Sequence, residues 1–175
     1  GDARGALAVQ ARAVALRPEE GAWLALRDEA RAQGAWDAVR AEVLAAIATR
    51  AGPLAVEWWR AEGCFDEALA VGETGRFEGA TGARALAQLA EEAERAGRGR
   101  EAARVFQQAS ERWIDARGRA SYREAASCAL RARGAMEEGA WRAWVERVRE
   151  ESVGAGPRKS AALAEEWARV LGSAE

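Results

Sequence analysis

An all-α fold of antiparallel helical hairpins, stacked as an irregular α-solenoid of about ten helices, is what the sequence predicts, and three observations predict it. Ala, Glu, Arg and Leu dominate the 175 residues and only three prolines occur, so intrinsic propensity favours helix almost throughout. Apolar residues recur at helical spacing in short segments that Gly or Pro punctuates. One skeleton also returns after 63 residues: Trp23, Leu26, Ala30, Gly34, Val39, Val43 and Ala46 reappear as Leu86, Leu89, Ala93, Gly97, Ala102, Phe106 and Ala109. One hairpin cannot cover both of its apolar faces, so hairpins of this kind stack on their neighbours into a curved row.

The first element runs from Ala3 to Leu16, with Ala6, Val9, Ala13 and Leu16 as its apolar stripe. It resembles the second half of a hairpin, so the chain is expected to be a fragment of a longer protein, opening in mid-repeat. The missing neighbour would leave an open edge near Ala6, Val9 and Ala13, through which self-association is the expected consequence. Pro18 suits the first turn of the next helix, which Gly34 ends near Gln33. The return helix, Ala35 to about Arg50, carries Trp36, Val39, Val43, Leu44 and Ile47 inward, and Gly52 and Pro53 stop it. A shortened hairpin follows, Leu54 to Glu62 and Phe65 to Val71, with Phe65, Ala68 and Leu69 inward.

Four glycines within Gly72–Gly82 predict a mobile connection and an internal boundary at 72–82 in what otherwise reads as one domain, 1–175, with Phe77 its sole apolar anchor. Arg84 to Ile114 is the clearest hairpin, broken at Gly97 and Gly99. Gly118 marks a helix end, and Ser121 with Glu124 has the spacing of a capping box for the next start. That helix, with Tyr122, Ala125, Ala126, Ala129 and Leu130, runs to Gly134. Met136 to about Glu150 places Trp141, Trp144, Val145 and Val148 on one face, expected to pack on Tyr122 and Leu130. Gly154, Gly156 and Pro157 make the last break, and a terminal helix with Ala161, Leu163, Trp167, Val170 and Leu171 caps the row.

Tetratricopeptide repeats space Trp, Leu, Gly, Ala, an aromatic, Ala and Pro along about 34 residues. Trp23, Leu26, Gly34, Trp36, Val43 and Ala46 resemble that pattern, as do Leu86, Leu89, Ala90, Gly97, Ala102, Phe106 and Ala109. Because the copies lie 63 residues apart, the array is irregular. A second likeness rests on Ala22–Trp23, Leu26, Ala30 and Gly34–Ala35–Trp36, then Glu62 to Leu69, then Tyr122 to Ala126 with Leu130, Trp141, Trp144, Arg158–Lys159, Ala162–Leu163 and Glu166. In that order, from Arg17 to Leu171, they resemble the helical region C-terminal to the zinc module of bacterial SWIM zinc-finger proteins. The resemblance implies a zinc module upstream, and an accessory scaffold here for a protein that binds nucleic acid or protein partners. The family's Cys-x-Cys and Cys-x-His ligands have no counterpart in this chain, so no metal role is carried over.

Composition narrows the function. Histidine is absent, which removes the commonest general base and zinc ligand. Adjacent carboxylates such as Glu91–Glu92, Glu137–Glu138 and Glu165–Glu166 do not face each other on a helix, and Gly72–Gly82 lacks the Gly-Lys-Ser/Thr ending of a phosphate loop. No catalytic residue, metal ligand or cofactor site is therefore assigned, and the expected protein is not an enzyme. A net charge of −2 gives no global attraction for polyanions, and Lys159 is the only lysine, a bias that fits a GC-rich genome. Cys64 and Cys128 lie far apart and read as small apolar residues rather than a disulfide pair. No basic leader and no apolar run of roughly 20 residues is present, which excludes a membrane span and predicts a cytoplasmic protein.

Two features compete with structural readings. Trp58 and Trp59 are adjacent, about 100° apart on a helix, so either one ring stands exposed for a partner or both pack partly at a hairpin junction. Arg98, Arg100, Arg117, Arg119 and Arg123 make the middle locally basic, either as contacts to nucleic acid or an acidic partner or as a solvated face paired with glutamates. The expected function is a helical-repeat scaffold for a protein or peptide partner. The alternative is an accessory domain that touches DNA or RNA through those arginines.

Overall fold

The structure, a computed structural model, describes residues 3–153 and 157–171, with side chains described for 4–150 and 161–168. Expectations placed on Gly1, Gly154 and Gly156, and on the side chains of Arg158, Lys159, Val170 and Leu171, lie outside the described residues. Ten helices and no strand occur among the described residues: α1 Ala3–Leu16, α2 Glu20–Ala32, α3 Trp36–Ala48, α4 Gly52–Ala61, α5 Phe65–Thr74, α6 Gly79–Arg95, α7 Gly99–Ala116, α8 Arg119–Arg133, α9 Glu138–Val153 and α10 Pro157–Leu171. They form two compact units, Gly1–Arg76 and Phe77–Glu175.

Three hairpin turns share one construction. Gly34, Gly63 and Gly97 take φ of 65°, 73° and 75°, the left-handed region that a Cβ disfavours. Each donates its N–H to the carbonyl three residues back, and the next residue donates five back: Ala35 to Ala30, Cys64 to Trp59 and Arg98 to Ala93, all at 2.9 Å. These paired bonds satisfy carbonyls that the helix end leaves over and reverse the chain within a few residues.

In the first unit α1 packs on α2 and α3, α3 on α4, and α4 on α5. Trp23, Leu26, Ala30, Val43, Leu44 and Ile47 are buried, as the 3.6-residue period requires, while Ala46 is exposed. The stripe expected on α1 is corrected. Leu7, Ala11 and Val14 face inward, whereas Val9 is 71% and Leu16 58% exposed and Ala6 and Ala13 lie outside. Both sets have helical spacing and each carries one Leu and one Val, so packing against α2 and α3 decides which face is buried. Arg50 closes the far end of α1, donating to the Ala15 and Leu16 carbonyls at 2.5 and 2.9 Å. Pro18 precedes α2, whose N-cap is Glu19, rather than sitting in its first turn.

The extent of the glycine-rich connection is also corrected, while the division between the two units falls inside it, after Arg76. Gly72 is buried in α5, and Gly79 and Gly82 belong to α6, so only Gly75–Glu78 connects the helices. Two backbone bonds hold it, Arg76 N–H to Ala48 O at 2.8 Å and Gly52 N–H to Arg76 O at 2.9 Å. Phe77 is buried, and Gly82 is small because Phe77 lies against it: a Cβ there would stand 2.8 Å from the Phe77 carbonyl carbon.

In the second unit α6 and α7 pack along their lengths, α7 on α8, and α10 on both α8 and α9. The buried Ser110 hydroxyl donates to the Ala125 carbonyl at 2.9 Å and ties α7 to α8. Tyr122, Ala126 and Ala129 of α8 share a cluster with Trp141, Trp144 and Val148 of α9 and Leu163 and Trp167 of α10. Leu130 is half-buried outside it. The capping box expected at Ser121 does not form. The chain reverses through Arg117 and Gly118, at φ 60° and 95°, so α8 begins at Arg119 and Ser121 is already its third residue.

Candidate functional site

Trp58 and Trp59 are 7% and 6% exposed, so the expectation that one ring stands free for a partner is corrected. α4 lies between α3 and α5, and two of its faces are covered. Trp58 stacks on Trp23 with centroids 4.7 Å apart, Trp36 tilts against Trp23 at 4.9 Å, and the Arg40 guanidinium lies 5.3 Å from the Trp59 ring centre. Beside them Glu62 accepts the Trp36 indole N–H at 3.2 Å and meets Arg31 at 3.1 Å, Arg40 at 3.7 Å and Arg27 at 3.9 Å. Glu62 is the C-cap of α4, where a carboxylate opposes the helix dipole, and the guanidiniums offset that cost. These groups hold helices together.

The singled-out arginines do not converge. Arg98 and Arg100 sit at the start of α7 and Arg117 just beyond its end, and an 18-residue helix is about 27 Å long. Arg98 pairs with Glu101 at 3.2 Å; a hydrogen bond from Glu101's own backbone N–H, then that arginine, holds its carboxyl below the ordinary value. Arg119 meets Glu165 at 2.8 Å and Glu166 at 3.8 Å, and Arg123 meets Glu166 at 3.6 Å. Glu166 is 1% exposed, so these two cations serve to neutralise a buried carboxylate from α10. Arg100 and Arg117 are exposed.

A concavity of about 480 Å³ opens between α6 and α8. Each of these helices is antiparallel to α7, so they run the same way on either side of it, and Trp113 of α7 lies between. Arg84, Gln88 and Glu91 line one wall, spaced to share a face of α6, and Ser121 and Glu124 line the other. At the far end Arg131 of α8 crosses to α6, donating to Glu91 at 2.6 Å and also to Glu94, with its guanidinium 4.3 Å from the Phe106 ring centre. Burial works against its charge, but the bonds to Glu94 and Glu91 outweigh it and raise its pKa. Trp113 is 7% exposed, and its Nε1 is buried with no acceptor. A buried N–H left unpaired is costly, and this one meets no acceptor of the protein.

One turn beyond Glu124 on α8, burial, then the Glu124 charge, pushes the Cys128 thiol up to about 12. Both cysteines are free. The sequence reading of Ser121 and Glu124 as a cap missed the groove, because its walls lie 37 residues apart (84 to 121). The shared polar face of Arg84, Gln88 and Glu91 was the available signal. A second concavity, about 590 Å³, lies between α1 and α3 beside Ala8, Ala15, Leu16 and Arg50. No group of three or more His, Cys, Asp or Glu fit to hold a metal ion is found among the described residues. Compared with protein-family models, curated proteins and solved structures, the chain matches none.

Proposed function

We propose that this chain is a non-enzymatic helical-repeat scaffold, its hairpins continuing as an irregular solenoid, which holds a short extended segment of a protein partner between α6 and α8. The concavity carries this reading. Its walls offer an amide, a hydroxyl and charges of both signs, the mixture that a peptide backbone and its side chains can pair with. The paired arginines support this reading over nucleic-acid contact, because Arg98, Arg119 and Arg123 already engage carboxylates. Two free thiols, one of them buried, fit a reducing cytoplasm.

The test is amide and indole NMR of the full chain titrated with pooled eight-residue peptides. Shifts confined to α6, the end of α7 and the start of α8 are the expected result. Peptides that shift only residues elsewhere, or none at all, overturn the assignment.

A further inference from the structure

α1 carries two apolar stripes, and the fold covers one of them. Leu7, Ala11 and Val14 are buried where α1 packs on α2 and α3, while Ala6, Val9, Ala13 and Leu16 are exposed. At 100° per residue the exposed four lie within about 80° of arc, centred about 150° round the helix from the buried three. Val9 and Leu16 are two of the three large apolar side chains exposed among the described residues. Scattered singly, such residues are ordinary; on one stripe of one helix they make a patch. The stripe is spaced 3, 4 and 3 residues, the a/d repeat along which one helix packs on another, and Ala6 and Ala13 leave room in it for larger side chains of a partner. Arg50, donating to the Ala15 and Leu16 carbonyls, fixes that end of the platform.

Charge decides what kind of helix fits. Helical geometry sets Arg12 just outside one edge of the stripe and Arg17, whose N–H still bonds to the Ala13 carbonyl, just outside the other, at the g and e positions of the repeat. Both are exposed and neither meets a carboxylate among the described residues, whereas Arg31, Arg40, Arg119 and Arg131 all do. No Asp or Glu lies between Arg4 and Arg17. A second copy of α1 laid on the stripe would set arginine against arginine in either orientation, since g meets e in a parallel pair and g meets g in an antiparallel one. We infer that the outer stripe of α1 docks an amphipathic helix of a partner protein, with large apolar side chains along its seam and Asp or Glu on its flanks to meet Arg12 and Arg17. This surface belongs to the first unit and is independent of the α6–α8 groove.

The probes are two labelled 21-residue peptides with leucine at every a and d position and either glutamate or lysine at every e and g position; like charges keep each from pairing with itself. Fluorescence anisotropy with the full chain gives affinity, and sedimentation gives the state of the chain alone. We expect the glutamate peptide to bind about tenfold more tightly than the lysine peptide, the scale of two exposed ion pairs, and the difference to shrink with added salt. Arg12→Glu with Arg17→Glu should reverse the preference, and Val9→Glu with Leu16→Glu should remove binding. All four positions are exposed, and an unchanged thermal melt confirms that both double variants fold. Equal affinity for the two peptides, binding that survives Val9→Glu with Leu16→Glu, or no binding of either peptide overturns the inference. A wild-type dimer that Val9→Glu with Leu16→Glu splits makes the occupant a second copy and overturns it as well. None of these substitutions touches α6 or α8, so the peptide-holding reading stands or falls separately.

Discussion

Glu62 gathers on one carboxylate what most side chains share with water: an indole N–H and three guanidiniums, from α2 and α3, on the end of α4. Glu62→Ala is expected to destabilise the chain by about 2 kcal/mol by urea denaturation, a cost typical of losing hydrogen bonds to a charged group. The partly exposed arginines recover water, which keeps the loss from being larger. Cys128 is a second single-residue case. Its folded pKa stands near 12 against an ordinary 9.0, so the folded state holds the proton more tightly than the unfolded one. That stability is fully present below pH 9 and is lost as pH rises toward 12. A thiol reagent at neutral pH should label half-buried Cys64 first and Cys128 only on unfolding, and Cys128→Ala should flatten the fall in stability above pH 9. The burial of Cys128 was legible from its reading as a small apolar residue; the role of Glu62 was not. Glu62 was only part of a motif, and burial of both Trp58 and Trp59 depends on which helices flank α4, a fact outside local spacing.

Helix ends were the more legible elements, because glycine at a left-handed position acts through its own backbone. Gly97→Ala is expected to cost about 1 kcal/mol, from backbone strain alone, since nothing lies within 4 Å of the added carbon. Gly82→Ala should cost more despite its place inside α6, where alanine has the better propensity, because the added methyl meets Phe77 backbone and pushes a buried ring outward. Thermal melts of the two variants give the order directly. The phase of α1 was not legible: alanine at so many positions lets two stripes satisfy the same period, and only packing against α2 and α3 decides. Val9→Glu with Leu16→Glu should leave the melting temperature nearly unchanged, whereas Leu7→Glu, placing a charge on the buried face, should lower it sharply. Ser121 failed as a cap for a related reason, since the Arg117–Gly118 reversal starts α8 two residues earlier.

Across the molecule the all-helical character followed from composition and punctuation, and the hairpin order within each unit from the glycines. What did not follow was which polar faces come to lie opposite one another, because α6 and α8 are brought side by side by packing on α7 and are far apart in sequence. The same packing predicts where protection concentrates. With Ala102, Ala103, Val105, Phe106, Ala109, Ser110 and Trp113 buried, and helices on two sides, α7 should hold the slowest-exchanging amides of its unit by hydrogen exchange. One consequence reaches beyond this chain. The corners at Gly34, Gly63 and Gly97 close on main-chain bonds alone and are indifferent to the length of the rods they join: α4 and α5, ten residues each, meet as α6 and α7 do with 17 and 18. Such a corner is a portable part, and a designer could graft whole turns onto both arms of a hairpin to deepen its wall without redrawing the bend.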